Sequence, residues 1–197
     1  MNSITTLPNL LTLLRLLLIP VFVIVFYLPF EWAREAATGL FVFAAVTDWL
    51  DGYLARRMEL ESAFGAFLDP VADKLMVATA LVLIVQADPR IMIAVAVAVI
   101  IGREIAISGL REWMAEVGNR TQVAVSEIGK FKTAAQMAAI TLLIYRDELW
   151  GMPVYTTGIV LLYVAVALTL WSMTLYVRAA WPSLRGDREA ARLPQDL

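Results

Sequence analysis

The stretch VTDWLDGYLARRMELESAFGAFLDPVADKL, from Val46 to Leu75, places four aspartates in a chain of which 60% of the residues are hydrophobic and 17% are charged. The mean hydropathy of the 197-residue chain is +0.73, and its apolar fraction exceeds that of an ordinary soluble domain. Ionisable groups inside a membrane are costly and mark functional sites. The sequence therefore predicts an integral membrane protein with an acidic site in this stretch.

The chain contains no cysteine and no histidine. This composition excludes disulfides, thiolate nucleophiles, zinc sites built from Cys and His, and imidazole bases. Any chemistry has to come from carboxylates, hydroxyls, lysines, arginines and bound metals.

The hydropathy pattern predicts an all-α integral membrane fold with six transmembrane helices. A helix needs about 20 residues to cross a bilayer. The fifth helix is expected to begin up to two turns before its apolar run. The six predicted helices are Asn9 to Phe30, Trp32 to Ala55, Asp69 to Ala87, Ile91 to Arg111, Lys132 to Tyr145 and Met152 to Val177.

The four middle helices have uncharged runs of only 12 or 13 residues. To span a bilayer, each has to include charged residues at one end. Successive helices alternate in direction, so these polar ends meet on one side of the membrane and enclose a wet cavity. The residues drawn in are Asp48, Asp51, Asp69, Asp73, Arg103, Glu104, Lys130 and Lys132.

The basic residues predict the orientation of the bundle. Arg34, Arg90 and Arg146 fall on one side, and the other 13 of the 16 basic residues fall on the opposite side. The positive-inside rule makes the latter side cytoplasmic, together with both termini and the acidic site. We expect residues 1–182 to form one transmembrane catalytic domain and residues 183–197 a polar cytoplasmic tail.

The spacing of the four aspartates predicts a metal site. Asp48 and Asp51 are three residues apart and Asp69 and Asp73 four apart, so each pair shares a helix face. Two such pairs facing each other would form one compact cluster of carboxylates, which repel one another unless cations neutralise them. Two divalent cations would do so, and oxygen ligands favour Mg²⁺ or Mn²⁺.

Simpler interpretations stay open at this point. Any single aspartate of the four could pair with Arg56, Arg57 or Lys74 or lie at a wet helix end, although this is a poor explanation for all four together. The small residues among the aspartates could serve close helix packing or leave room for a base or a pyrophosphate. These small residues are Gly52, Ala55, Gly65 and Ala66.

The spacing Asp48-x2-Asp51-Gly52-x2-Ala55-Arg56-x8-Gly65-x3-Asp69-x3-Asp73 resembles the signature of the CDP-alcohol phosphotransferase family. The resemblance implies a six-helix membrane enzyme, usually a homodimer, that joins a CDP-activated group to an alcohol and releases CMP. It implies that the four aspartates hold two metal ions and that Asp73 is also the general base. The implied binding residues for CDP-diacylglycerol are Asn9, Thr12, Gly52, Ala55, Arg56, Ser62 and Gly65.

Four further stretches, PNLLTLLRLLLIP, FGAFLDPVADKL, GREIAISGLREWMAE and IGKFKTAAQ, are similar to bacterial members of that family that use glycerol 3-phosphate as the acceptor. The resemblance implies a place in the bacterial inner membrane. Glycerol 3-phosphate is a dianion and needs fixed cations. Its expected ligands are Arg103, Arg111, Lys130 and Lys132.

Some of these four cations could instead snorkel to the interface or follow the positive-inside rule. Arg103 beside Glu104 could form a structural ion pair. Arg15, deep in the first helix, could face either the lipid phosphate or the headgroup region.

Three other functions remain possible on the sequence. The first is a same-family enzyme that uses phosphatidylglycerol, serine or inositol phosphate as the acceptor. The second is an intramembrane prenyltransferase, against which the placement of Gly52, Ala55 and Arg56 argues. The third is a cation transporter, which the cytoplasmic position of the aspartates disfavours. The expected partners are the two substrates, membrane lipids and a second copy of the chain, with no nucleic acid.

Overall fold

A computed structural model of the protein describes residues 7–58, 63–116, 127–149 and 151–184. The regular secondary structure in these residues is helical, which confirms the predicted all-α, six-helix architecture. The helices are α1 Leu7–Phe26, α2 Ala33–Met58, α3 Ala63–Ala87, α4 Ile91–Glu116, α5 Glu127–Tyr145 and α6 Val154–Leu184.

Three of the four helices with charged ends, α2, α3 and α5, pack in the centre of the bundle. In the described part of the chain, α3 packs against α1, α2, α4 and α5, and α2 and α5 also pack on each other. Three segments are long and apolar enough to cross a membrane: Asn9–Phe26, Ile91–Met114 and Val154–Arg178. They belong to α1, α4 and α6, so the most apolar helices surround those that carry the aspartates and Lys132. This arrangement keeps charged groups away from lipid.

Apolar side chains from all six helices fill the core between them. Phe22 of α1 and Phe41 of α2 are fully buried, and their ring centroids are 6.2 Å apart. The α5 and α6 helices approach closely at Gly158, where an added Cβ would lie 3.0 Å from the Leu143 side chain. A side chain at position 158 would therefore require Leu142 and Leu143 to shift by a few tenths of an ångström.

Several predicted helix boundaries are wrong. The α2 and α4 helices continue to Met58 and Glu116, past the predicted ends at Ala55 and Arg111. Proline explains two further differences. The α1 helix ends at Phe26 rather than Phe30, because Pro29 disfavours helical backbone at the residue before it. The α3 helix begins at Ala63, six residues before Asp69, and carries Pro70 inside it. Membrane helices tolerate an internal proline.

The last two helices are also longer than their apolar runs. The α5 helix begins at Glu127, within the two-turn extension that was allowed for, and α6 continues to Leu184. The expected tail from 183 therefore overlaps the end of α6, and residues 185–197 lie outside the described part.

A polar cluster closes the end of the bundle opposite to the aspartates. Asp88, in the turn between α3 and α4, accepts hydrogen bonds from Arg90 Nε at 2.9 Å and Nη2 at 2.8 Å and from the Tyr155 hydroxyl. The guanidinium carbons of Arg90 and Arg146 lie 5.6 and 5.0 Å from the centroid of the Tyr155 ring. The hydrogen bonds from Arg90 hold the pKa of the Asp88 carboxyl below its ordinary value.

The lowered pKa of Asp88 predicts a pH-dependent contribution to stability. A carboxyl whose pKa is lower in the folded state stabilises the fold above its unfolded pKa, which is about 4. The stabilisation is lost as the pH falls through the folded pKa. Asp88→Asn should therefore lower the melting temperature at pH 7, and its difference from the wild type should shrink below about pH 4. Thermal unfolding in detergent at several pH values measures this.

Asp147→Asn is the matched control, because Asp147 pairs with Arg34 at 3.2 Å with both side chains at least half exposed. Exposed pairs contribute little, so this variant should melt with the wild type. Equal melting temperatures for Asp88→Asn and the wild type at pH 7 would contradict the prediction.

Candidate active site

A buried ion pair joins α1 to the first aspartate pair. Arg15 is 1% exposed. Its Nη1 lies 2.5 Å from Asp48 Oδ1, and its Nη2 contacts Asp51 Oδ2. Thr12, one turn earlier on the same face of α1, donates a hydrogen bond to Asp69 Oδ1. The contacts of these two α1 side chains therefore link α1 to both aspartate-bearing helices.

The aspartates do not form the single compact cluster that the sequence predicted. Within the described residues, no three acidic side chains are close enough to share a metal ion. Asp48 nevertheless lies within electrostatic reach of Asp51, Asp69 and Asp73. We call the contact of α1 with the aspartates of α2 and α3 the seam. The ion pairs with Arg15 show that carboxylates at the seam accept a cation. An all-oxygen donor set is the type that hard divalent ions prefer. The residues thus fit such an ion by their chemistry.

The other residues expected to bind the nucleotide part lie along the same seam. Asn9 is buried on α1, Gly52 is partly buried on α2, and Gly65 is buried on α3. Ala55 and Arg56 belong to α2, but the structure does not describe their side chains. Ser62 lies outside the described residues.

A cavity of about 780 Å³ opens between the central helices and α4 and α6. Asp48 and Asp73 line it on the α2 and α3 side, and Arg103, Arg111 and Lys132 line it on the α4 and α5 side. Much of the remaining wall is apolar. It is formed by Ala45, Trp49, Leu75, Val77, Ala78, Leu81, Ile100, Ile101, Ile105 and Met137. The cavity therefore has an acidic wall, a basic wall and an apolar lining.

Glu104 connects two of the cations in this cavity. Lys132 Nζ donates to Glu104 Oε1, and Arg103 Nη1 donates to the same oxygen at 3.2 Å. The possible ion pair of Arg103 with Glu104 is thus present. Lys132 and Arg103 are both buried, so their shared carboxylate partner offsets part of the cost of burying two positive charges.

Two residues of α6 contact the arginines from the other side. Arg103 Nη2 donates to Ser172 Oγ at 2.8 Å, and Arg111 Nη2 donates to the Tyr176 hydroxyl. The guanidinium carbons of Arg103 and Arg111 lie 5.6 and 5.0 Å from the centroid of the Tyr176 ring, within cation–π range. Tyr176 thus brings together two cations that lie eight residues apart on α4.

The structure separates the predicted site residues into two groups. The cavity brings together Asp48, Asp73, Arg103, Arg111 and Lys132. Other predicted residues, including Asn9 and Thr12 of α1 and Asp51 and Asp69, are not part of the cavity lining that the structure describes. Lys130 belongs to α5, but its side chain is not described.

The alternative partners considered for the aspartates have other contacts. Lys74 Nζ donates to Ser108 Oγ at 2.6 Å, and Arg57 Nη1 donates to the Tyr53 hydroxyl at 2.9 Å. The side chain of Arg56 lies outside what the structure describes. Arg15 is the cation that pairs with Asp48 and Asp51, a role that the sequence analysis did not assign to it.

Sequence reasoning also missed several polar residues of the cavity wall. Glu104 was expected at the polar end of its helix and beside Arg103 but was given no role in the site, although an acidic group in an apolar helix is itself a signal. Gln136 lies one turn from Lys132 on the same face of α5. Ser172 and Tyr176 are likewise four residues apart on α6, within the predicted span Met152 to Val177, whose uncharged sequence suggested no role in a site.

Comparisons with known proteins agree with this geometry. The sequence profile of the CDP-alcohol phosphatidyltransferase family matches residues 5–171. A Pseudomonas fluorescens protein named CDP-diacylglycerol--glycerol-3-phosphate 3-phosphatidyltransferase is 55% identical over 181 residues, which is 91% of this chain and 92% of that protein. A Salmonella typhimurium protein with the same name is 54% identical over 91% of this chain and 95% of its own length.

An Escherichia coli protein, again with that name, is 55% identical over 88% of this chain and 93% of its own length. The family match covers the carboxylate seam, the described cavity-lining residues of α2 to α5 and most of α6. The chain therefore belongs to the CDP-alcohol phosphatidyltransferase family.

Proposed function

We propose that the protein transfers the phosphatidyl group of CDP-diacylglycerol to the primary hydroxyl of sn-glycerol 3-phosphate. The products are phosphatidylglycerophosphate and CMP. The observation that carries the proposal is the cavity in which Asp73 and Asp48 face Arg103, Arg111 and Lys132. The names of the three relatives support the same substrates.

The basic wall of the cavity suits a phosphate monoester. Arg103, Arg111 and Lys132 bring three positive charges, and Glu104 offsets one of them. Lys74 adds a fourth positive charge where it donates to Ser108 of α4. A dianionic phosphate would neutralise two of the three charges that remain. Arginine forks match phosphate oxygens in bidentate geometry. Lys130 completes the proposed acceptor set from the first turn of α5.

Asp73 is the proposed general base. It lies on the acidic wall and therefore faces the end of the acceptor that is remote from the phosphate. Its carboxylate takes the proton of the primary hydroxyl as the hydroxyl oxygen forms a bond to the β-phosphorus, the one that carries the diacylglycerol. The bond from that phosphorus to the bridging oxygen breaks, and CMP leaves with the electron pair. This is a direct displacement in one step.

Asp48, Asp51, Asp69 and Asp73 would hold two divalent cations, Mg²⁺ or Mn²⁺. When bound, such ions offset negative charge on the pyrophosphate and on the departing CMP. Arg15 and Thr12 keep the carboxylates of Asp48, Asp51 and Asp69 oriented from the α1 side. Asn9, Thr12, Gly52, Ala55, Arg56, Ser62 and Gly65 are the proposed contacts to CDP-diacylglycerol.

The proposed setting is the bacterial inner membrane, with both termini and the active site on the cytoplasmic side and the chain present as a homodimer. The apolar walls of the cavity let CDP-diacylglycerol approach from the inner leaflet while its acyl chains stay in lipid. The charged walls then receive the pyrophosphate and the soluble acceptor from the cytoplasm.

The first test measures CMP release by detergent-purified protein with CDP-diacylglycerol and Mg²⁺ or Mn²⁺. Glycerol 3-phosphate, serine, inositol phosphate and phosphatidylglycerol are offered separately. We expect CMP only with glycerol 3-phosphate, because its dianion matches the basic wall. CMP release with another acceptor would replace the proposed substrate, and divalent ion flux without CMP release would indicate a transporter.

Asp73→Asn should lower kcat by at least about 100-fold, because a positioned general base contributes at least that much. The melting temperature should stay near that of the wild type, since the two side chains have nearly equal volume. Glu35→Gln, at the exposed start of α2, is the control and should leave kcat unchanged. A kcat for Asp73→Asn within about 10-fold of the wild type would exclude Asp73 as the base.

Arg15→Met should strongly destabilise the metal-free protein. Removing one partner of a buried ion pair leaves an uncompensated charge and typically costs about 3 to 5 kcal/mol. Adding Asp51→Asn in the same chain should recover part of the loss, because one unpaired carboxylate is then removed. Unfolding in detergent with a chelator measures both effects.

Arg34→Met, which breaks the exposed pair with Asp147, is the matched control and should change stability little. Manganese should raise the melting temperature of Arg15→Met more than that of the wild type, since a divalent ion would neutralise the same carboxylates. Equal losses for Arg15→Met and Arg34→Met would refute a structural role for the buried pair.

A further inference from the structure

Four buried polar side-chain atoms have no hydrogen-bond partner among the described residues: Arg15 Nε, Arg103 Nε, Gln136 Oε1 and Thr169 Oγ1. A buried polar atom without a partner is costly, so it is rare in folded proteins. Arg103 and Gln136 line the cavity that also holds Asp73 and Lys132. A molecule in that cavity can satisfy both atoms.

The two atoms differ in hydrogen-bond character. Arg103 Nε is a donor and Gln136 Oε1 is an acceptor. A ligand that satisfies both has to bring an acceptor such as a phosphate oxygen and a donor such as a hydroxyl. An acceptor alcohol that carries a phosphate meets this requirement.

The position of Gln136 suits a hydroxyl rather than the phosphate. It lies one turn beyond Lys132 on the same face of α5, and Lys132 Nζ is bound to Glu104. Gln136 lies nine residues from the start of α5 and Asp73 ten residues from the start of α3. These offsets correspond to about 14 and 15 Å along the helices. Gln136 and Asp73 line the same cavity, in which the carbon chain of the acceptor would lie.

We propose that Gln136 determines specificity for the acceptor by accepting a hydrogen bond from its secondary hydroxyl. This inference rests on the proposed function. In glycerol 3-phosphate the secondary hydroxyl stands between the phosphate-bearing carbon and the carbon that reacts. Gln136 Oε1 is 94% buried with its residue, which is 6% exposed, so an acceptor without that hydroxyl leaves the oxygen without a partner. Sites built to bind a hydroxyl reject analogues that lack it.

The test compares glycerol 3-phosphate with 3-hydroxypropyl phosphate, which has the same phosphate and primary hydroxyl but lacks the secondary hydroxyl. CMP release gives kcat/KM for each acceptor. The wild type should prefer glycerol 3-phosphate by about 10-fold or more, the value expected for one buried neutral hydrogen bond. In Gln136→Met, which keeps the length of the side chain, the ratio should fall to about 1, mainly through a lower kcat/KM for glycerol 3-phosphate.

Gln86→Met is the matched control, because Gln86 is exposed near the other end of α3, and it should keep the wild-type ratio. Gln136→Glu provides a second variant that retains an acceptor oxygen. It should keep the preference for glycerol 3-phosphate while kcat/KM falls for both acceptors, since the added charge repels the phosphate.

The outcomes separate this inference from the function on which it rests. A wild-type ratio that survives unchanged in Gln136→Met overturns the role of Gln136 and leaves the proposed reaction intact. A wild type that releases no CMP with glycerol 3-phosphate overturns both. A ratio that collapses in Gln136→Met and persists in Gln136→Glu supports the assignment.

Discussion

The buried guanidinium of Arg15 is the contact on which the rest of the site depends. Two carboxylates cannot remain ionised side by side inside a membrane protein without a counter-charge. Arg15 supplies it to Asp48 and Asp51 from a neighbouring helix. The same face of α1 carries Thr12, which holds Asp69. The same contacts therefore hold the carboxylates in place and pack the first three helices together. A change in the acidic site also affects the helix packing, and the reverse holds.

The cavity also pairs buried charges with a shared partner, but here two cations share one carboxylate. Arg103 and Lys132 are buried cations that share Glu104, and Ser172 and Tyr176 of α6 fix the arginines from the other side. The two walls of opposite charge would orient an acceptor that has a phosphate at one end and a hydroxyl at the other. In the proposed reaction, the chain presents the hydroxyl end to the acidic wall.

Composition and spacing were sufficient to predict the six helices and the approximate place of the site, because both depend on local pattern. Apolar runs indicate spans, and carboxylates three or four residues apart share a helix face. Contacts between distant helices could not be predicted in this way. Arg15 lies 33 residues from Asp48, and Tyr176 lies 65 residues from Arg111. The start of α3 was misplaced at Asp69 because the following Pro70 suits the first turn of a helix, whereas membrane helices also tolerate proline inside.

Two tyrosines of α6, Tyr155 and Tyr176, link this helix to α4. Tyr155 contacts Arg90, just before α4, and Tyr176 contacts Arg103 in the middle of α4 and Arg111 in its last third. The tyrosines are 21 residues apart on α6, or about 30 Å along the helix axis, close to the thickness of the hydrocarbon layer, about 30 Å. These contacts link the parallel helices α4 and α6 at two levels of the bundle. In a thinner or thicker bilayer they favour a tilt of the two helices together, carrying the basic wall with them.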